Sequence, residues 1–418
     1  MSKIFIINNG CEQRSLDSRK FSTYFKKNNQ IIVDNPKNAD IIFFITCAFI
    51  DKVAQISLDM VKEFKKYDAE LIVAGCLPII NKKELSKIFS GRTIGTYDLD
   101  KKPEKVDALF PAYKIKFSEI EDENILFESK IKKNLIKEFL KKEKFLGKQI
   151  YQLREYIINN IYGIGTSAQR FLSNEPRFII RISWGCYGNC AYCGIKKAIG
   201  GHKSKPIEVC FGEFKKGLKL GYKRFLITSD DTGAYGLDIN SSLPKLLEKI
   251  TSIDADYDIE LYNIHPEWIV KYIDDLEKII KSKKIRYIES PLTHGNPRIL
   301  NLMNRYSDIE KMKNAFLRLK ENNPNLQLFA NMIVGFPTET DKELYEALLF
   351  AKQCGFDSGF VYKFSLRSGT PAEKIQPQFS EEIKTRKLKK AAKIMKNFGF
   401  TNPHIAISEP FFYFEKRA

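Results

Sequence analysis

Cys186, Cys190 and Cys193 lie in the run WGCYGNCAYCG, separated by three and then two residues. Glycines at positions 185, 188 and 194 allow the tight backbone path that such a spacing needs if the thiols are to converge. Three thiolates serve three irons of a 4Fe-4S cubane and leave the fourth open to a cofactor or substrate. A structural zinc site is the rival reading, but such sites close with a fourth Cys or His, and the nearest histidine, His202, sits in a lysine-rich loop. Tyr192, inside the motif, suits either ordinary packing or a place beside an adenine ring.

A second triplet is dispersed. Cys11 follows KIFIINNG, Cys47 follows DIIFFIT and Cys76 follows ELIVAG, so each stands just past an apolar run that reads as a strand. The intervals of 36 and 29 residues each have room for one return helix. Strands of a parallel sheet all end on one edge, where ligands of open α/β sheets bind, so three residues distant in sequence meet there. Burial as a small apolar side chain, the common fate of an unpaired cysteine, accounts poorly for three equivalent strand ends. It does fit Cys210 and Cys354, which fall inside helical patterns.

The chain that carries these cysteines has 418 residues, 43% of them hydrophobic, enough for more than one core. Eight cysteines are an unlikely disulfide framework in a reducing compartment, and the six that fall in two triplets read as metal ligands. No signal-peptide core precedes the first strand, and no apolar run approaches the roughly 20 residues of a membrane span. A cytoplasmic protein without membrane association is expected. Lys and Arg exceed Asp and Glu by 69 to 51, a net charge of +18 that suits nucleic acid, an acidic peptide or plain solubility.

The elements that must position the thiols follow from the hydrophobic pattern. Residues 1–110 alternate strands with amphipathic stretches, one helix over 17–27 and another near 51–67, and predict an N-terminal doubly wound α/β domain with a parallel sheet. Residues 111–176 read as a basic insert or linker, with eight lysines against two glutamates between Lys130 and Lys148 and apolar residues at helical spacing. From 177 to 377, six strand-like runs (RFIIRIS, KRFLITS, DIELYNI, IRYIESPL, LQLFANMIVGF, SGFVYKF) alternate with helical patterns and predict a partial TIM-like (β/α)6 barrel. The CxxxCxxC run then occupies the first β-α loop, where barrels of this kind place their chemistry. Residues 378–418 hold a basic helix near 380–398 and an aromatic tail, EPFFYFEKRA, too short for another independent domain.

CxxxCxxC with an aromatic before the last cysteine resembles the radical S-adenosylmethionine (SAM) superfamily. Both triplets together resemble its methylthiotransferases, which act on tRNA adenosine or on a ribosomal-protein aspartate. The likeness covers residues 1–110 and 177 to about 395, through NNGCEQRSLDS, ADIIFFITCAFIDK, LIVAGCLP, SWGCYGNCAYC, ITSDDTGAYG, PLTHGNPRILNLMNR, NMIVGFPTET and FVYKFSLRSGTPA in family order. It implies two 4Fe-4S clusters, one on Cys11, Cys47 and Cys76, the other on Cys186, Cys190 and Cys193 with SAM chelated at its open iron. It also implies that Thr228, Ser229 and Asp230 lie near the methionyl end of SAM, that Asn331, Gly335 and Phe336 lie near the adenosine, and that Arg367 closes the pocket. Polar residues at strand ends are also common helix caps, the other reading of Thr228, Ser229 and Asp230. Family chemistry uses two SAM molecules: one methylates a sulfur at the N-terminal cluster, and the other supplies the radical that takes a substrate hydrogen. A reductant such as flavodoxin or ferredoxin is the expected partner.

Several departures bear on the substrate. An Arg-Gly pair usual after the cysteine motif is Gly200-Gly201 here, and a Gln-Ser-Gly stretch is Thr293-His294-Gly295. His294 is read as a hydrogen-bonded loop residue, with local acid or base as the alternative. Where family members carry a small β-barrel, the TRAM domain, only the aromatic tail is expected. The expected activity is that of a methylthiotransferase converting C–H to C–SCH3 on a peptide or protein side chain, a ribosomally made peptide precursor included. The alternative is tRNA adenosine, favoured by the basic charge. A non-catalytic iron-sulfur or zinc protein that binds nucleic acid is the rival from another class.

Overall fold

Runs of β-branched and aromatic residues near the N-terminus pair as β1 (Lys3–Asn8), β2 (Ile31–Val33), β3 (Ile41–Thr46), β4 (Glu70–Gly75) and β5 (Thr93–Gly95) in the computed structural model, which describes residues 1–125, 176–401 and 410–416. All pairings are parallel and the order is β2-β1-β3-β4-β5, so the winding reverses between β1 and β3. Both faces of the sheet are apolar, as a parallel sheet requires. Ile4, Ile6, Phe43, Ile45 and Ile72 pack with Phe21, Tyr24 and Phe25 of the helix Glu12–Lys27 on one side. Ile42, Phe44 and Val73 pack with Val61 and Phe64 of the helix Asp51–Phe64 on the other.

The first helix begins at Glu12 rather than at 17, directly behind Cys11. Its core also runs past residue 110: Phe117 stacks on Phe21 at 4.6 Å between ring centroids, and Ile120 is buried beside it. The basic stretch 130–148 lies outside the described residues. The chain divides into two compact units, residues 1–175 with Ile195–Gly200, and Pro176–Gly194 with Gly201–Ala418. Within the first unit, Ala198 of the short helix Ile195–Ile199 is fully buried in the same core as Phe64 and Leu77.

The second unit is built on β6 (Arg177–Arg181), β9 (Arg224–Thr228), β10 (Asp258–Leu261), β11 (Ile285–Thr293), β12 (Gln327–Val334) and β13 (Ser358–Lys363), after the small antiparallel pair β7 (Ser183–Trp184) and β8 (Lys203–Ser204) is set apart. These six strands are parallel and neighbour one another in chain order, the pattern of a (β/α)6 partial barrel. Phe178, Ile180, Phe225 and Ile227 face the helices, and helix Ile207–Lys219 comes so close that a Cβ on Gly217 would lie 2.5 Å from Phe225.

The aromatic tail is a structural strand. Residues Phe411–Lys416 form β15, antiparallel to β13, and Phe400–Thr401 form β14 beside it, so the sheet has eight strands among the described residues. Alternation explains this: Phe412 and Phe414 are buried, while Phe411 and Tyr413 meet Phe360 on the other face at 5.1 and 5.9 Å. Among the described residues no helix is long and apolar enough to cross a membrane.

Candidate metal centres and active site

In the first unit the strand ends deliver three thiols to one edge. Thr46 pairs with Gly75 at the ends of β3 and β4, so Cys47 and Cys76 are the next residues after adjacent strands. Cys11 follows β1 across the reversal of the winding, where open α/β sheets bind ligands. Cys47 and Cys76 are buried and Cys11 is exposed. Burial pushes the Cys47 thiol up, and the charges of Cys76 and Cys11 add to it, which places all three in one electrostatic neighbourhood.

Fixed polar groups hold this edge. The Cys47 N–H donates to Asn9 Oδ1 at 2.9 Å, Asn9 Nδ2 donates to Ser57 Oγ at 2.7 Å, and Ser57 Oγ donates to the Cys47 carbonyl at 2.6 Å. Leu77 N–H donates to Thr46 Oγ1 at 3.2 Å, and Cys76 Sγ lies 3.4 Å from Thr96 Oγ1. Arg14 is buried between Asp17 at 2.6 Å and Asp100 at 3.2 Å. Burial opposes its charge, while Asp100, Asp17, Cys11 and Cys76 together keep it strongly protonated.

In the second unit the loop after β6 and β7 carries the other triplet. Gly185 takes φ +74°, a conformation that side chains disfavour, and its N–H donates to Asp230 Oδ2 at 2.9 Å. A Cβ on Gly188 would lie 3.6 Å from Cys186 Sγ and 3.8 Å from Cys190 Sγ, so both sulfurs flank this glycine. Burial pushes the Tyr192 phenol well up, and the charges of the neighbouring Cys190 and Cys193 add to it. Cys210 and Cys354 are buried in or at the end of helices, as expected of packing residues.

The residues expected around SAM fall into two groups. Tyr192, Phe336 and Phe364 share one apolar cluster with Met303 and Ala372, and Ala372 N–H donates to the Ala191 carbonyl at 2.9 Å. The stem of Arg367 lies over Gly194, where a Cβ would be 3.1 Å from its Cγ. Gly335 has φ +76° and donates to Glu339 Oε2 at 3.0 Å. Asn331 Nδ2 donates to Glu289 Oε1 at 2.8 Å, and its buried Oδ1 has no hydrogen-bond partner among the described residues. Thr228 and Ser229 are buried at the end of β9; Ser229 Oγ accepts from Asp231 N–H at 3.1 Å, and Asp230 holds the cysteine loop rather than capping a helix.

Three further residues emerge only in the fold. Asp231 Oδ2 accepts from Cys186 Sγ at 3.5 Å and Tyr187 N–H at 3.2 Å, while Oδ1 accepts from Trp268 Nε1 at 2.9 Å. His265, at the start of helix Pro266–Lys271, has a ring nitrogen within 4.8 Å of the Cys186 sulfur and an Asp231 oxygen. Arg305 Nη1 donates to Cys190 Sγ at 3.5 Å. The sequence placed Asp231 and Arg305 inside quoted motifs without singling them out, and a lone His-Pro pair carries no signal of its own. His294 is fully buried and bonded to Glu339 at 3.2 Å, which agrees with the loop-histidine reading.

Comparison with known proteins gives the family. Residues 180–351 match the radical SAM superfamily, and residues 3–94 match uncharacterized protein family UPF0004. A ribosomal protein uS12 methylthiotransferase RimO from Clostridium novyi is 30% identical over 94% of this chain and 82% of its own. The chain belongs to the radical SAM methylthiotransferases. A tRNA-2-methylthio-N(6)-dimethylallyladenosine synthase from Clostridium botulinum is 28% identical, again over 94% of this chain and 82% of the relative. Among solved structures, the radical SAM methyltransferase TsrM from Kitasatospora setae aligns over 97% of this chain and 79% of its own with a TM-score of 0.59 at 10% identity, a likeness of fold alone.

As a radical SAM methylthiotransferase the protein is an enzyme that uses two 4Fe-4S clusters and SAM. Its donor sets fit that requirement. Each unit gathers three thiols, the number that leaves a cubane one open iron, and Asn331 offers a buried acceptor with no partner among the described residues.

Proposed function

We propose that this methylthiotransferase acts on an adenosine of tRNA, in the cytoplasm, with a flavodoxin- or ferredoxin-like reductant. Its chemistry rests on one observation: six thiols arrive in two sets of three, each at the C-terminal ends of parallel strands. Cys186, Cys190 and Cys193 hold the SAM-binding cluster, and Cys11, Cys47 and Cys76 hold the auxiliary one. When bound, the clusters and SAM supply the one-electron and radical steps. The chain's own residues orient and exclude. Asp230 and Asp231 fix the cysteine loop, Asn331 and the Gly335 turn lie where adenosine would bind, Tyr192 and Phe336 keep one wall apolar, and Arg367 lies against the loop's end.

The tRNA substrate is supported by the relatives named as tRNA methylthio-adenosine synthases and by the surplus of cations. Arg386, Lys389, Lys393 and Lys396 are exposed on the helix Glu381–Asn397, a surface suited to phosphates. A second reading, a ribosomal-protein aspartate, is favoured by the relatives at 28–30% identity named for uS12. The small peptide precursor expected from the sequence draws no support from these relatives.

Anaerobic reconstitution followed by incubation with SAM, sulfide and reductant tests the proposal. About eight irons per chain are expected, falling to about four when any one triplet cysteine becomes alanine. Methylthioadenosine in digested tRNA supports the proposal. A methylthio group on ribosomal protein with unmodified tRNA moves the assignment to the second reading, and 5'-deoxyadenosine release absent from a fully loaded enzyme rejects both.

A further inference from the structure

Helix Pro297–Leu302 ends in a turn that clasps the cysteine loop at three consecutive residues. Asn304 takes φ +51°, which turns the chain back so that Arg305 N–H donates to the Leu300 carbonyl at 2.9 Å. The Met303 carbonyl accepts from Ala191 N–H at 2.8 Å, Asn304 Nδ2 donates to the Asn189 carbonyl at 2.9 Å, and Arg305 Nη1 donates to Cys190 Sγ at 3.5 Å. Cys190 therefore sits between two backbone anchors and faces a guanidinium.

That guanidinium is itself pinned. Nη1 lies 2.8 Å from His265 Nδ1, and Nη2 donates to the Pro291 carbonyl at 2.8 Å. Arginine offers no acceptor, so His265 Nδ1 accepts and the ring proton sits on Nε2. Burial opposes the Arg305 charge, whereas Tyr192, Cys190 and Glu267 sustain it. Two fixed acceptors hold the fork, so the N–H toward sulfur cannot rotate into solvent without breaking both.

Hydrogen bonds to ligating sulfurs and nearby charge tune the potential of an iron-sulfur cluster, because the reduced state carries more negative charge for the donor to stabilise. We propose that Arg305, braced by His265 and the Pro291 carbonyl, is a positioning residue that raises the reduction potential of the SAM-binding cluster through Cys190 Sγ. This rests on Cys190 being a ligand of that cluster. By stabilising added negative charge at that sulfur, the contact would set how strong a reductant the enzyme needs.

The test uses the full chain carrying Arg305→Gln, Arg305→Lys or His265→Gln, reconstituted anaerobically, with iron counted and both clusters titrated potentiometrically by electron paramagnetic resonance in the absence of SAM. The SAM-binding cluster is assigned as the one whose reduced signal changes when SAM is added. Expected are full iron, a more negative midpoint for that cluster in Arg305→Gln, smaller shifts in the same direction for Arg305→Lys and His265→Gln, and an unmoved auxiliary cluster. An unchanged midpoint at full iron overturns the proposal, as does an equal shift in both clusters or a change confined to SAM affinity. If Arg305→Gln fails to hold iron, His265→Gln decides, since it loosens the fork and leaves the guanidinium itself in place. A Cys190→Ala chain that keeps both clusters overturns the ligand assignment instead, an outcome distinct from a failed potential shift.

Discussion

A guanidinium buried beside two thiols is sustained by the negative groups around it, the carboxylates first. Arg14 is held by Asp17 and Asp100, and all three side chains are almost fully shielded from solvent. Replacing it with methionine leaves two carboxylates buried without a cation, at a cost of about 3–5 kcal/mol. Urea denaturation of Arg14→Met should show that loss as a lower midpoint with an unchanged slope; an unchanged midpoint would mean the acids are solvated or protonated. Gly75, just before Cys76, has φ +98°, and a Cβ there would lie 2.4 Å from the Thr46 carbonyl oxygen. Gly75→Ala should therefore cost more than about 1 kcal/mol in the same assay, through strain at the strand end that presents Cys76.

At the scale of elements, the helix Asp341–Gln353 follows the Gly335 turn and is fixed by a capping box. Thr340 N–H donates to Glu343 Oε2 at 2.8 Å, Glu343 N–H donates to Thr340 Oγ1 at 3.2 Å, and Arg298 grips the Glu343 carboxylate at 2.6 and 2.8 Å. Arg298 first, with the Thr340 donors behind it and burial opposing, pulls the Glu343 carboxyl from 4.5 down to about 2. A carboxyl depressed in the folded state lends stability that is complete above its unfolded value and disappears as pH falls through the folded one. The cap should hence weaken between pH 4.5 and about 2, and Glu343→Gln should flatten that part of the stability-pH profile measured by urea melts. The last strand makes a separate claim. Phe414 is fully buried over Gly359, where a Cβ would lie 2.6 Å from its ring, so Phe414→Ala should cost about 3–5 kcal/mol in thermal or chemical melts. A near-neutral change would show β15 to be dispensable.

Across the whole molecule, each unit has an apolar core of its own. Phe21, Phe25, Phe43 and Phe110 interlock on one face of the first sheet, and Phe178, Phe214 and Phe225 do so under the barrel sheet, all away from the thiol edges. Stripping the iron should thus leave the far-ultraviolet circular dichroism and cooperative unfolding intact while abolishing SAM cleavage. Collapse of the dichroism on chelation would mean that the clusters, rather than the apolar layers, hold the strand ends together. The architecture divides labour in the same way: sheets supply rigidity, and loops at their C-terminal edges supply ligands.

The thiol spacing, the six β-α units and the apolar strand runs were legible because each follows from local periodicity. CxxxCxxC is a contiguous signal, and KIFIIN and DIIFFIT, short apolar runs rich in β-branched and aromatic residues, suit buried strands of a parallel sheet. Even the dispersed triplet could be read, since parallel topology turns three sequence-distant strand ends into one edge. What sequence could not supply was partnership between residues far apart in the chain. Arg305 reaches Cys190 across 115 positions, Asp231 reaches Cys186 across 45, and His265 joins them from a third loop. Lone polar residues have no period and no spacing rule, so only tertiary packing, which brings separate β-α loops to one rim, could reveal them. The same reason governs Phe117, Ala198 and Phe414: each is one more apolar residue in the sequence, and only the closed core determines which surface it covers.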